Sequence, residues 1–172
     1  MDIWPSDGMQ YMNNVYLLIG GNMGNRLQNL HQAIRWLGDD CGPVQQVSAV
    51  YETAAWGKTD QPAFLNQAVQ LHTSLSPQDL IKTILSIEET MGRRRMEKFG
   101  PRIIDIDIIF YNDAVISEQD LTIPHPHMQN RRFVLAPLQQ IAGDVVHPVF
   151  KKTVTGLLEA CTDPLPVQKF TT

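Results

Sequence analysis

Ile103-Ile104-Asp105-Ile106-Asp107-Ile108-Ile109-Phe110-Tyr111 is the most apolar stretch of the chain, and two carboxylates interrupt it. Its length and β-branched content read as a strand. Strand side chains alternate, so Asp105 and Asp107 share one face, and Ile104, Ile106, Ile108 and Phe110 share the other, expected to be core. A strand this apolar is expected at the centre of a sheet, where unpaired carboxylates are costly to desolvate.

Working outward, the strand follows a loop, Arg93 to Arg102, and before it a helix. Ser76-Pro77-Gln78-Asp79 starts that helix, Leu80, Ile84, Ile87 and Met91 form its stripe, and Gly92 ends it. Upstream, Leu65, Gln67, Val69 and Leu71 share one parity of a half-buried strand. Val44 to Glu52 reads as a strand, with a loop over residues 53–63. Leu27, Leu30, Ile34 and Leu37 mark a helix that Asn25 caps and Gly38 ends. The first strand is Val15 to Ile19, and Gly20-Gly21-Asn22-Met23-Gly24-Asn25 reads as a tight turn open to ligand contact.

The order is β-α-β-β-α-β, which predicts an α+β fold: a ferredoxin-like antiparallel sheet with helices on one face and a C-terminal extension. In the extension, Leu121-Thr122-Ile123 suggests a small strand, and Pro137 to Ile141 and Val154 to Cys161 suggest helices. Residues 1–13 read as a loose arm, and residues 14–172 as a single domain.

The 172 residues are 43% hydrophobic, enough for a core, with 14 Lys+Arg against 18 Asp+Glu. A net charge of −4 argues against nucleic acid as the partner. Two cysteines make no disulfide framework. No apolar run approaches the roughly 18 residues of a membrane span, and the opening residues do not read as a signal peptide. No membrane association and a cytoplasmic location are expected.

The carboxylate pair lies about 7 Å apart along the strand, so its oxygens can converge on ions about 4 Å apart. Hard oxygen donors point to Mg²⁺; the alternative is an open sheet face where both groups are simply solvated. Five of the basic residues, Arg93, Arg94, Arg95, Lys98 and Arg102, fall in one loop beside this pair. Guanidinium forks bind phosphate, although a solvated basic loop has the same composition. Taken together, the two features favour a nucleoside triphosphate site, and no Walker-type Gly-x-x-x-x-Gly-Lys motif is present.

Gly92-Arg93-x-Arg95 and Phe99-Gly100-Pro101-Arg102-x-x-Asp105-x-Asp107-Ile108 resemble the signature of the 6-hydroxymethyl-7,8-dihydropterin pyrophosphokinases of folate biosynthesis. So do Ile19-Gly20-x-Asn22, Tyr51-Glu52-Thr53, Asp60-Gln61-Pro62-x-Phe64-Leu65-Asn66, and Pro124-His125 with Asn130-Arg131-x-Phe133. The likeness runs from Val15 to about Pro137.

The resemblance implies transfer of pyrophosphate from ATP to the pterin hydroxymethyl, releasing AMP. It implies two Mg²⁺ ions on Asp105 and Asp107, and a catalytic loop with Arg93 and Arg95, Arg102 lying nearer the phosphates and Lys98 at a usually basic position. His125 and Arg131 would contact ATP, with Glu88 and Ile108 near the nucleoside. Asn66 would bond the pterin edge, Phe64 and Phe133 would sandwich its ring, and Thr53, Ala54 and Trp56 would line the pocket. The loop would close over bound substrates, and no residue stands out as a general base.

Plainer roles exist for several of these residues. Phe64 and Phe133 fit core, Trp56 fits a shielded sheet edge, and His125 fits a turn or a metal pair with His127. Phe99 departs from the family's Trp, Met96 is apolar in a loop that can be basic, and Pro126 replaces a frequent aromatic. Rival readings are a Mg²⁺-dependent nucleotide phosphohydrolase and a non-catalytic ferredoxin-like ligand-binding module. A monomer is expected.

Overall fold

The computed structural model describes residues 12–55, 60–94 and 99–171. Trp56, Arg95, Met96, Lys98 and residues 1–11 of the arm lie outside the described residues. Strand β1 (Asn13–Gly21) leads into helix α1 (Arg26–Asp40), then β2 (Val44–Val47), β3 (Tyr51–Thr53) and β4 (Phe64–Thr73). Helix α2 (Pro77–Thr90) and β5 (Asp105–Tyr111) complete the β-α-β-β-α-β order, with the expected single strand over residues 44–52 split in two. A hairpin of β6 (Ile116–Glu118) and β7 (Leu121–Ile123), helices α3 (Arg132–Ala142) and α4 (Val154–Ala160), and strand β8 (Val167–Lys169) follow.

The split has a local cause. The buried Ser48 uses its hydroxyl, not its backbone alone, to meet β4: Ala68 N donates to Ser48 Oγ at 2.9 Å, and Ser48 Oγ donates to Ala49 O at 2.7 Å. Both short strands still pair with β4.

Sheet order is β5-β1-β4-β3-β8, all antiparallel, with β2 also on β4. The apolar β5 is therefore at the edge, not the centre. One of its amides is met instead by Glu88 of α2, whose Oε2 accepts from Ile106 N at 2.8 Å. Such covering is what an apolar edge strand requires.

Helices α1 and α2 pack on one face of the sheet through Leu30, Leu37, Leu80, Ile84 and Ile87 against Leu17, Ile19, Val69 and Leu71. On the other face, α3 and α4 set Val134, Leu135, Leu138 and Leu157 against Leu18, Ala68 and Phe110. Helices thus cover both faces, and β4 is buried on both sides along most of its length rather than half-buried. The one-face expectation holds for α1 and α2 alone.

Phe110 also departs from expectation. The β1–β5 register slips between Tyr16 and Leu17, pairing Leu17 with Ile108 but Tyr16 with Phe110. This bulge inserts Ile109 and turns Phe110 into the α3-side core, away from Ile104, Ile106 and Ile108. Asn25 caps α1 as expected, accepting from Gln28 N, but the helix runs past Gly38 to Asp40. It stops before Gly42, whose φ of +148° and 2.0 Å clearance from His72 O for an added Cβ admit only glycine. Pro137 lies inside α3, which starts five residues earlier than that proline. No helix among the described residues is long and apolar enough to cross a membrane.

Candidate active site

Three adjacent strands, β4, β1 and the edge strand β5, meet in a row that forms the floor of a cavity. Gly20 of β1 lies opposite Asn66 of β4 on one side and Asp105 of β5 on the other, and Leu18 lies opposite Asp107. A Cβ at Gly20 would stand 2.3 Å from Asn66 Oδ1, so glycine is required for the strands to carry both polar side chains here. Gly20 and Gly21 are thus the end of β1, and the turn is confined to the residues after them.

Above that floor, α3 contributes Phe133, its preceding residue Arg131 adds a guanidinium, and the end of β3 adds Thr53 and Ala54. Phe64, Phe99 and Arg102 close the rim. The space is about 580 Å³ including its mouth. Each aromatic wall carries a cation: Arg102 lies 5.4 Å from the Phe64 ring centre, and Arg131 lies 5.9 Å from that of Phe133. Asn66 is buried, with Nδ2 donating to Thr53 Oγ1 at 3.1 Å.

A second, wider groove of about 1370 Å³ runs along the outer edge of β5, between α2 and the β6–β7 hairpin. Glu88, Lys82, Ile106 and Leu121 line it. Asp105 and Asp107 line both spaces, so the two grooves join at the carboxylate pair.

Charge at this junction is dense. Arg93 Nη1 bridges Glu88 Oε2 at 2.7 Å and Asp105 Oδ1 at 2.6 Å, and Arg102 Nη1 reaches Asp105 Oδ2 at 3.0 Å. Burial pushes Glu88 up, while Arg93 and the Ile106 amide pull it back. Burial, then the neighbouring charges of Asp105 and Glu88, hold Asp107 well above the usual carboxylate range against Arg131 and Arg93. Burial lowers Arg131, opposed by Asp107 and Asp105. Burial would lower Arg93 too, but Asp105 and Glu88 outweigh it and raise that guanidinium.

Most of the sequence-derived residues therefore gather in one place: Thr53, Ala54, Phe64, Asn66, Glu88, Arg93, Arg102, Asp105, Asp107, Arg131 and Phe133. Ile108 does not; its side chain is core under α1 and α2. His125 stands nearby, its Nδ1 accepting from His127 N at 3.1 Å, and burial pushes its imidazole down to about 4. Among the described residues no three His, Cys, Asp or Glu side chains converge as a metal nest.

Sequence reasoning missed the roles of Asn22 and Gln61. Asn22, 3% exposed, accepts from Arg102 N and donates to Gln61 Oε1 and Pro62 O, each at 2.9 Å. Gln61 Nε2 donates to Phe99 O at 2.6 Å. Together they join the segment after β1, the segment before β4 and the arginine loop. Both stood inside motifs quoted for the resemblance, but no local pattern reveals partners so distant in sequence.

Residues 16–143 match the family described as 7,8-dihydro-6-hydroxymethylpterin-pyrophosphokinase. The chain belongs to this pyrophosphokinase family. It is 45% identical over 166 residues to the 2-amino-4-hydroxy-6-hydroxymethyldihydropteridine pyrophosphokinase of Synechocystis sp., covering 95% of this chain and 85% of that one. The enzyme of the same name from Aquifex aeolicus is 41% identical over 141 residues, 82% of this chain and 88% of the relative.

Among solved structures, a Plasmodium falciparum HPPK-DHPS triple mutant superposes with a TM-score of 0.74 over 90% of this chain at 19% identity. This chain spans 45% of that longer chain, and the likeness concerns the fold alone. The motif resemblance, the ferredoxin-like fold and the assignment to an enzyme family of ATP-dependent diphosphokinases are thus borne out.

Proposed function

We propose that the chain transfers the β,γ-pyrophosphoryl group of ATP to 6-hydroxymethyl-7,8-dihydropterin, giving the pterin diphosphate and AMP for folate biosynthesis. The observation that carries this reading is the meeting of two grooves on one carboxylate pair. A flat ring suits the cavity between Phe64 and Phe133, with Asn66 at its polar edge and Thr53 and Ala54 along its side. A nucleotide suits the open groove beside Glu88. The hydroxymethyl oxygen and the β-phosphorus would then meet above Asp105 and Asp107.

In the step itself, the pterin oxygen bonds to the β-phosphorus while that phosphorus loses its bond to the α,β-bridging oxygen. AMP leaves, and the hydroxyl proton is released. Asp105 and Asp107 are the residues that would hold Mg²⁺. Their hard oxygens fit it, and so does the burial, together with the crowding of negative charge, that pushes Asp107 up. When bound, Mg²⁺ neutralises phosphate oxygens and makes the hydroxyl easier to deprotonate.

Arg93 and Arg102, paired with Asp105 in this structure, can turn to phosphate oxygens once a cation takes that carboxylate. Arg131, at the junction beside Phe133, and the neutral His125 are within the same region for contact with the triphosphate. Arg95 and Lys98 are proposed to add to this cationic set. Positioning two substrates over one charge-stabilising pair supplies most of the rate.

The test is product analysis with ATP, Mg²⁺ and the pterin. AMP that forms only when the pterin is present supports the reading. ADP or inorganic phosphate released equally without the pterin favours the phosphohydrolase and overturns it.

A further inference from the structure

Helix α3 carries one wall of the pterin cavity but cannot cap its own N-terminus. Arg131, at the cap position, makes no side-chain cap bond. The cap comes from far downstream: Asp163 Oδ2 accepts from Arg132 N at 3.1 Å, while its Oδ1 accepts from Leu165 N at 3.0 Å. Arg132 answers by donating from Nε to Asp163 O at 3.2 Å and from Nη2 to Cys161 O at 3.0 Å. Arg132 lies between Arg131 and Phe133, the two residues of this wall that line the cavity.

The same segment continues to the opposite wall. As β8 it pairs with β3, setting Val167 opposite Thr53 and Gln168 opposite Glu52. Phe170 N donates to Val50 O at 2.8 Å, and the Phe170 ring lies 5.6 Å below the Arg26 guanidinium. Arg26 in turn holds Glu52 at 2.6 Å and Ala63 O at 2.9 Å, on either side of the Thr53–Ala54 wall.

Residues 161–170 lie beyond the matched family segment, yet they fasten both sides of the cavity. At its far end α3 is already tied to the β2–β3 connection, through Gln140 Oε1 accepting from Ala49 N and Tyr51 Oη. That anchor lies about 12 Å along the helix from Arg132. It leaves the cavity end of α3 to be held by Asp163.

We infer that residues 161–170 form a strap that sets the width of the pterin cavity, with Asp163 as its positioning residue. The inference rests on the proposed pterin site. Losing the cap lets the Arg131–Phe133 wall lean away from Thr53, and a stacked ring is sensitive to that spacing. The nucleotide groove along β5 does not touch the strap.

The experiment uses Asp163→Ala and Gln168→Pro in the full chain, the second removing a ladder amide opposite Glu52. Pterin titration in the presence of Mg²⁺ and a non-hydrolysable ATP analogue is measured beside KM for both substrates, kcat and thermal stability. The strap predicts pterin Kd and KM raised about fivefold to tenfold, the scale of one lost hydrogen bond. ATP constants, which the strap reaches only through Arg131 of the same wall, should rise clearly less than the pterin constants, and Asp163→Asn, which keeps one acceptor oxygen for Arg132 N, should restore part of the pterin affinity.

Leu157→Val in α4 supplies a comparably destabilised control. Pterin constants that do not move, or that move together with ATP constants in step with stability as in the control, overturn the strap. Wild-type chain that binds no pterin overturns the substrate reading and the strap together; normal wild type with unaffected variants overturns the strap alone.

Discussion

Asn22 and Arg102, eighty positions apart, exchange a pair of hydrogen bonds: Asn22 N donates to Arg102 O at 3.0 Å, and Arg102 N donates to Asn22 Oδ1 at 2.9 Å. The pair fixes where the arginine loop re-enters the sheet, just before the two aspartates. Because the Asn22 amide also holds Gln61 and Pro62, one side chain sets the relative position of three segments. Asn22→Ala leaves the part-buried Arg102 amide and Pro62 carbonyl without their side-chain partner, and should destabilise the fold by about 1–2 kcal/mol in urea unfolding. Asn22→Asp keeps the acceptor toward Arg102 but opposes Pro62 O with a charge, so it should also be destabilised. An unchanged midpoint for both variants would refute the hub.

The two aspartates should respond oppositely to neutralisation. Burial first, and like charges second, disfavour an ionised Asp107, so Asp107→Asn should stabilise the protein by about 1 kcal/mol while abolishing pterin-dependent AMP formation. Asp105 holds two guanidiniums, so Asp105→Asn should lose both activity and about 1–2 kcal/mol. Thermal melts beside an AMP assay check both. Equal destabilisation by the two variants would contradict the charge distribution described.

Glu88 is 2% exposed and serves a strand edge and a guanidinium at once. Glu88→Ala leaves Arg93 with one fewer anion and the Ile106 amide without its acceptor. The expected loss is about 3 kcal/mol, and Glu88→Gln, which keeps an acceptor, should lose about 1 kcal/mol. Denaturant midpoints at constant m-value would measure this. A neutral Glu88→Ala would show that the edge of β5 needs no cover.

His125 gives a pH signature. Its folded pKa is lowered to about 4, below the unfolded value near 6.5, so the unfolded chain binds the extra proton between these limits. Its contribution is fully present above pH 6.5 and is lost as pH falls toward 4, by up to about 3 kcal/mol. His125→Gln should flatten that part of the stability profile relative to wild type. Parallel profiles from pH 7 to pH 4.5 would exclude a buried neutral imidazole.

Much of this molecule is decided locally, and that part is legible in one dimension. The caps at Asn25 and Ser76, the stripe of α2 and the alternation that pairs Asp105 with Asp107 depend only on near neighbours and backbone periodicity. The motifs around Arg93, Arg102, Asn66 and Phe133 carry the family for the same reason: their residue types and spacing survive without coordinates.

Tertiary structure alone decided the rest, because it depends on bonds between segments far apart in the chain. Ser48 splits a strand by bonding Ala68, and Ile109 bulges against β1 and turns Phe110 to the other core. Glu88 reaches the edge strand β5 across the loop to meet the Ile106 amide, and α3 is capped by a carboxylate 31 residues away. Periodicity records which side chains could be buried; which surface buries them, and which distant donor meets each acceptor, is settled only when every segment competes for the same core.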